Sequence, residues 1–397
     1  MTQLIVDKMN SEFGAYRALR RDIHAHPELG FDEHRTVSVI CKELDKLSIE
    51  YHMGIGKTGI VGIIRGAQTS SGRAIGLRSD MDALPIRECT NLDYASVSDG
   101  RMHACGHDGH VAMLLAAAAY LQSTKNFNGT VYLIFQPNEE GLKGGLEMVK
   151  DGLFERFPMQ QIYAIHNWPS LPLGSVSIPV GAVMAASDVL KIRIQGKGGH
   201  GGIAPQRTVD PVLIAGHVIV AAHSIVSRNL DPLDVGVISL CSIASGSLTA
   251  CAVIPEEAVI TGTARSVRPE VQKLIETRLR DTVESIARGL GGTASLEYSR
   301  GAPVTWNSEA EALLARRAAV DVVGVENVVA HPLPSLGGED FSFMLRECPG
   351  AYIHLGTGDN AHPHDLHSSN FDFNDDALPI GASLLARIAE LSLPLNQ

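Results

Sequence analysis

Apolar positions recur along the chain with two different periods, and the change from one to the other marks its organisation. Met9, Phe13, Tyr16, Arg20 and Ile23 are spaced three or four apart, which predicts a helix closed by Pro27. A second helix is predicted from Glu33 to Leu47, with Val37, Ile40, Leu44 and Leu47 on one face. Short apolar runs bounded by turn residues follow at Gly59 to Ile64, Ala74 to Arg78, Thr130 to Phe135 and Ile162 to Ile165. Between the second and third of these lies an Ala- and Leu-rich helix, roughly Gly109 to Leu121. Near-continuous apolar strands interleaved with helices predict an α/β unit whose mixed sheet is covered by helices on both faces.

Near Ser187 the period changes. Leu190, Ile192 and Ile194 alternate with Lys191, Arg193 and Gln195, the pattern of a half-exposed strand over Val189 to Lys197. A helix is predicted from Asp210 to Asn229 with Pro211 at its first position. Strands at Val235 to Ile243 and Ala258 to Ala264, a helix from Pro269 to Leu290 and a strand at Thr293 to Tyr298 complete a β-α-β-β-α-β order, the ferredoxin-like split unit. From Arg300 the first grammar returns, with a helix at Ser308 to Val323 and a strand at Ala351 to Leu355. The predicted organisation is one α/β domain, 1–186 and 299–397, interrupted by a smaller α+β domain at 187–298.

Composition narrows the function classes. Among 397 residues, 33 are basic and 44 acidic, a net charge of −11 that argues against nonspecific binding to nucleic acid or anionic membrane. The longest apolar run, Val111 to Leu121, is too short for a membrane span. The opening MTQLIVDKMNSEF has no apolar stretch with a cleavage site, so no signal peptide is expected. Six cysteines at 41, 89, 105, 241, 251 and 348 make no disulfide framework, and a reduced cytoplasmic setting is the expectation.

Gly54-Ile-Gly56-Lys-Thr-Gly59 imitates a dinucleotide fingerprint and, in its GKT, a phosphate loop. The phosphate loop needs glycine where Tyr51 stands, and the dinucleotide fold needs a helix where Ile60 to Ile64 reads as a strand. A glycine-rich turn is the simpler reading. His103-Ala-Cys105-Gly-His107-Asp108-Gly-His110 is different. It places one thiol, three imidazoles and a carboxylate within eight residues, donors suited to zinc and similar transition metals. Cys105 and His107 are two apart, so an extended backbone points both the same way, with Asp108 then placed to cap the following helix.

Asp80 and Asp82 close a buried strand at its carboxyl edge. Asp82 could orient a metal-ligating imidazole, or either acid could form a loop salt bridge with Arg78 or Arg87. The strand Thr130 to Phe135 runs into Gln136-Pro-Asn-Glu139-Glu140-Gly141. In extended backbone the two glutamates face opposite ways, one able to ligate a metal and the other to take a proton. His166 ends the next strand, and His354, His362, His364 and His367 crowd a stretch near the C-terminus.

Together these segments resemble the metal-dependent amidohydrolases of the aminoacylase, hippurate hydrolase and auxin-conjugate hydrolase group, relatives of the zinc carboxypeptidases. The resemblance covers nearly the whole chain. It runs from HPELGF at 26–31 through SDMDALPI at 79–86, HACGHD at 103–108 and QPNEEG at 136–141. It continues through GKGGHGG at 196–202, GTAR at 262–265, GGEDF at 337–341 and LHSSNFDFND at 366–375. It implies two divalent metal ions per subunit, zinc or manganese ahead of nickel or cobalt, held by Cys105, His107, Glu140, His166 and His367. Glu139 would be the general base and Asp82 would orient His107. His200, on a lid domain that also dimerises the family's members, would stabilise the oxyanion in the neighbouring subunit's site. Arg265 keeps a family position on the substrate side.

The chain departs from its relatives at Gln206, where a histidine is usual, at Ala252, where a substrate-holding asparagine is usual, and at Asn138, where alanine is usual. The implied reaction is hydrolysis of the amide of an N-acyl amino acid, and the expected partners are that small molecule and further copies of the chain in a homodimer or higher homo-oligomer formed through the lid domain. Two alternatives are a cysteine hydrolase using Cys105 as nucleophile and a non-catalytic metal- or ligand-binding descendant.

Overall fold

The computed structural model describes residues 2–396, and the fold divides into two compact units. The first comprises 1–183, 305–333 and 340–397, and the second 184–304 and 334–339. The chain opens with helices α1 (Thr2–Ala25) and α2 (His34–Lys46). Strands β1 (Glu50–Ile55), β2 (Gly59–Arg65) and β3 (Ala74–Asp80) precede helix α3 (His107–Thr124) and strand β4 (Thr130–Gln136). Two short helices, α4 (Gly144–Lys150) and α5 (Leu153–Arg156), lead to β5 (Gln161–Pro172), β6 (Val176–Ser177) and β7 (Gly181–Met184).

The second unit holds β8 (Ala186–Gln195), β9 (Gly199–His200), α6 (Pro211–Asn229), β10 (Gly236–Ser245), β11 (Val253–Ile254), β12 (Glu257–Ser266), α7 (Pro269–Gly289) and β13 (Thr293–Arg300). The chain then returns through β14 (Thr305–Asn307), α8 (Glu309–Val323), α9 (Phe341–Glu347), β15 (Gly350–Gly358) and α10 (Leu378–Ser392).

Seven strands of the first unit form one mixed sheet in the order β1-β2-β4-β3-β5-β15-β6. Its centre is parallel, with β3 between β4 and β5 and β15 beside β5; β1, β2 and β6 pair antiparallel at the edges. Every residue of β3 is buried, as expected of a central parallel strand covered on both faces. Helix α3 is apolar all round and buried from His107 to Leu121 because it packs on the sheet with one side and on α1 and α10 with the other. Its N-terminus therefore opens directly at the carboxyl ends of the parallel strands, where ligand sites of α/β sheets form.

The Gly54 to Gly59 segment is a turn between the antiparallel strands β1 and β2, with Gly54 at φ 81° and Gly56 at φ 62°. No helix follows it, so the nucleotide lookalike has no phosphate-binding helix N-terminus. Strand β1 carries little apolar alternation and gives almost no sequence signal; its burial pattern is mostly exposed.

In the second unit four antiparallel strands lie in the order β10-β12-β8-β13. Leu190, Ile192 and Ile194 of β8 meet Ile214, Val218 and Ile225 of α6 and Ile275, Leu279 and Val283 of α7 in a separate core. Asp210 caps α6, accepting from the N–H groups of Val212 and Leu213. By length and composition α6 could cross a membrane; its Ile214, Ala215, Val218, Ala222 and Ile225 stripe is buried against this sheet. The unit reaches past both sequence-predicted edges. Strand β8 starts at Ala186, β13 runs to Arg300, and Ser187 N–H donates to Ala302 O at 3.0 Å, which ties the entering and leaving segments together.

Candidate metal centre

Four segments of the first unit bring their polar side chains to one place. The first is the start of α3. The helix begins at His107, and its N-cap is Gly106 at φ 91°. A Cβ at Gly106 would overlap the side-chain amide of Asn167, so both the left-handed backbone and the close approach call for glycine. This corrects two sequence expectations. Cys105 and His107 do not lie on an extended stretch; the reversal at Gly106 aims them. Asp108 does not cap α3; its carboxylate is buried against Arg20 at 3.4 Å and His24 at 2.9 Å.

The second segment follows β4. Asn138 takes φ 48°, and Glu139 and Glu140 sit in a turn, not in the extended backbone the sequence predicted. The turn brings ligand atoms of both glutamates within 4.8 Å of a His107 ring nitrogen. The third is β5, which continues through His166 to Pro172 where a strand end at His166 was expected. His166 Nε2 lies 3.4 Å from Cys105 Sγ. The fourth is the loop after β15, where His367, at φ 65°, sets Nε2 3.4 Å from Glu140 Oε1. Cys105, Glu140 and His367 form a further group with ligand atoms within 4.8 Å of one another.

The hydrogen bonds orient the imidazoles. His107 Nδ1 faces Asp82, 2.9 Å from its backbone carbonyl and 3.2 Å from Oδ1, so this nitrogen carries the hydrogen and donates. His107 Nε2 is buried without a hydrogen-bond partner. His166 repeats the arrangement, with Nδ1 donating to Asn167 O at 2.7 Å. Two rings with Nδ1–H committed and Nε2 turned inward toward a thiol and carboxylates form a donor set that fits soft-to-borderline divalent metals.

The electrostatics agree. Burial and the Glu140, Glu139 and Asp80 carboxylates push the Cys105 thiol well above its ordinary range. A nucleophilic cysteine needs the opposite shift, so the surroundings disfavour Cys105 as a free thiolate nucleophile; a cation is what would favour its thiolate here. Burial holds His166 well below the usual imidazole range, hence neutral. Burial alone would lower His107 too, but Asp80, Asp82 and Glu140 outweigh it and raise it to about 10. The cluster concentrates negative charge around an inward-facing nitrogen.

A supporting layer went unassigned in the sequence. His110 Nδ1 bonds Asp80 Oδ1 at 2.5 Å and its Nε2 bonds Asn167 Oδ1 at 2.7 Å. Asp80 also pairs with Arg78 at 2.7 Å, so the predicted Arg78 salt bridge involves Asp80, while Arg87 pairs with Asp99 on the surface. The available signal was the i, i+3 spacing of His107 and His110, which puts both rings on one helix face.

Two expected site residues belong to the second unit. His200 is exposed on β9, paired with Val253 of β11, and its Nδ1 accepts from the N–H groups of Gly202 at 3.1 Å and Ile203 at 3.2 Å. Arg265 donates through Nη1 to Ser187 Oγ at 2.6 Å and Thr263 Oγ1 at 2.8 Å. His362 instead bonds Asp359 at 2.8 Å, and His354 stacks on Trp168 with ring centroids 3.9 Å apart.

A mixed α/β sheet with buried thiol, imidazole and paired carboxylates at its carboxyl edge defines a metallohydrolase class of site. Residues 76–391 match the model of peptidase family M20/M25/M40, and the chain belongs to that family. It is 39% identical over 378 residues to a hippurate hydrolase of Campylobacter jejuni, covering 95% of this chain and 96% of that one. It is 36% identical over 377 residues to an N-acetylcysteine deacetylase of Bacillus subtilis, covering 94% and 96%. A solved dinuclear metal-binding M20 peptidase of Bacillus subtilis superposes with a TM-score of 0.84 at 32% identity, covering 97% of this chain and 99% of that one.

Proposed function

We propose that this protein hydrolyses the amide bond of N-acyl amino acids with two divalent metal ions. The observation that carries this reading is the grouping of His107, Glu139 and Glu140, with Cys105 and His367 beside Glu140 and His166 3.4 Å from Cys105. The names of its relatives support the substrate class, since hippurate and N-acetylcysteine are both N-acyl amino acids.

In this reading Cys105, His107, Glu140, His166 and His367 hold the ions, with zinc or manganese as our assignment. When bound, such ions supply Lewis acidity toward an amide carbonyl and lower the pKa of the attacking water. Glu139, 6% exposed, takes the proton of that water and delivers it to the leaving amine. Asp82 keeps His107 in the Nδ1–H tautomer.

We further assign oxyanion stabilisation to the partner subunit's His200 in a homodimer. The two accepted bonds at Nδ1 leave the ring hydrogen on Nε2, which makes it a donor. We read the second unit as a ferredoxin-like lid and dimerisation domain, a reading supported by its β8-α6-β10-β12-α7-β13 order, and we assign Arg265 to the substrate side.

The test is a hydrolysis screen of N-acetyl, N-benzoyl and longer N-acyl amino acids with and without chelator. Turnover that chelation abolishes and added metal restores is the expected result. Chelator-resistant turnover abolished by thiol alkylation would favour the cysteine reading, and no turnover at full metal loading would overturn the assignment.

A further inference from the structure

The segment between α1 and α2, His26 to Glu33, contributes no side chain to the metal cluster, yet it touches the loops on both sides of it. Glu28 O accepts the N–H of Ala83, the residue after Asp82, at 2.8 Å. Gly30 lies so close to Asn138 that a Cβ there would overlap the Asn138 side chain. Glu33 is fully buried, and its Oε1 accepts the Asn138 N–H at 2.9 Å. Its Oε2 accepts the Thr58 hydroxyl at 2.6 Å.

Glu33 stands at the N-cap of α2 but makes no capping bond to its own helix. A residue kept only to start that helix would bond the free N–H groups of the first turn. Those of Arg35 and Thr36 are taken by Glu28, at 2.8 Å each. The Glu33 carboxylate crosses instead to the turn that carries Glu139. Burying a carboxylate there costs stability unless its acceptors are used, and both are.

The three consecutive N–H groups of Asn138, Glu139 and Glu140 are thus each held by a carboxylate. Glu33 takes the first, and Asp82 takes the second through Oδ1 and the third through Oδ2, both at 3.0 Å. Asn138, in the left-handed region, is the pivot that turns the strand into this arrangement. We propose that Glu33 is a positioning residue for the general base: it fixes the Asn138 peptide, and with it the direction in which the Glu139 carboxylate enters the site. This rests on the reading of Glu139 as base. A loosened pivot would displace the Glu139 carboxylate, while Cys105, His107, His166 and His367 sit on other segments and Glu140 keeps its own N–H bond to Asp82 Oδ2.

Glu33→Gln and Glu33→Asp separate this role from a general need for buried charge. Glutamine keeps the reach and an acceptor oxygen for Asn138 N–H. Aspartate keeps the charge and loses the reach. In the full-length, metal-loaded protein, with whichever N-acyl amino acid the parent turns over, Glu33→Asp should lower kcat roughly 10- to 100-fold. Its KM should change less than about 3-fold and its metal content not at all, while Glu33→Gln should keep kcat within about 3-fold of the parent. Hydrogen–deuterium exchange of the 136–142 peptide should be faster in Glu33→Asp and unchanged in Glu33→Gln. The exchange readout needs no turnover, so a parent inactive on every substrate would overturn the function reading while the exchange contrast still tests the brace. Wild-type kcat in Glu33→Asp, a loss confined to Glu33→Gln, or a loss that tracks lost metal would each overturn the proposal.

Discussion

Asp82 holds Glu139 by its backbone, with Oδ1 accepting the Glu139 N–H at 3.0 Å while the same oxygen lies 3.2 Å from His107 Nδ1. One buried carboxylate therefore sets the register between a proposed metal ligand and the proposed base. Asp82→Asn replaces one acceptor oxygen by a donor facing an N–H group. We expect a 10- to 100-fold loss of metal affinity, the usual effect of removing a partner that orients a ligand, together with a fall in kcat. Metal titration and steady-state kinetics on the same preparation measure both. Unchanged affinity would remove Asp82 from this role.

Glu139→Gln leaves its backbone bond to Asp82 intact and removes only the proton acceptor. Metal content should match the parent, and kcat should fall roughly 10²- to 10⁴-fold, the range for general acid–base catalysis. Mixing Glu139→Gln chains with His200→Ala chains should restore part of the activity if His200 acts across a dimer, because one composite site keeps both groups. Absence of recovery in confirmed mixed dimers would place His200's action within its own chain or remove it from the reaction.

Cys105 reports the difference between a ligand and a nucleophile. It is 6% exposed and its thiol is pushed up by burial and neighbouring carboxylates. At neutral pH the metal-free protein should alkylate at Cys105 more slowly than at the exposed Cys89, Cys241 and Cys251, as peptide mapping after iodoacetamide would detect. Faster modification of Cys105 would contradict the electrostatic reading of the site.

The buried pair of His24 and Asp108 makes stability depend on pH. Burial pushes His24 down, but Asp108 at 2.9 Å and Glu88 at 3.3 Å outweigh it and raise it to about 9. A folded-state pKa above the unfolded value stabilises fully below about 6.5 and loses that contribution as pH climbs through 9. Burial raises Asp108, but His24 and Arg20 overcome this and hold it below the usual carboxylate range, so its contribution is lost only on strong acidification. His24→Gln should be less stable than the parent at pH 6, with a gap that narrows by on the order of 3 kcal/mol by pH 9. Denaturant unfolding at the two pH values measures it; a constant gap would mean that folding does not raise the His24 pKa.

Much of the molecule can be read from the chain because short-range patterning controls it. The alternation of Leu190, Ile192 and Ile194 identifies a half-exposed strand, and the apolar Ala74 to Arg78 run identifies a buried one, since burial on one face or two leaves a periodic mark. The Cys105, His107 and Glu139-Glu140 clusters are visible because chemistry needs unusual residues close together. What the sequence does not carry is direction. The left-handed turns at Gly106 and Asn138 aim those side chains, and distant residues fix what each turn can be: Asn167 leaves no room for a Cβ at Gly106, and Glu33 accepts the Asn138 N–H. Asp108 looks like a cap until Arg20 and His24 of α1 arrive beside it, and Glu33 looks like the start of a helix until β4 brings Asn138 within 2.9 Å. Local sequence determines which residues are available and which elements they form. Only the packing of distant segments decides which buried polar atom finds which partner, because a polar group removed from water takes the hydrogen bond that the tertiary structure offers.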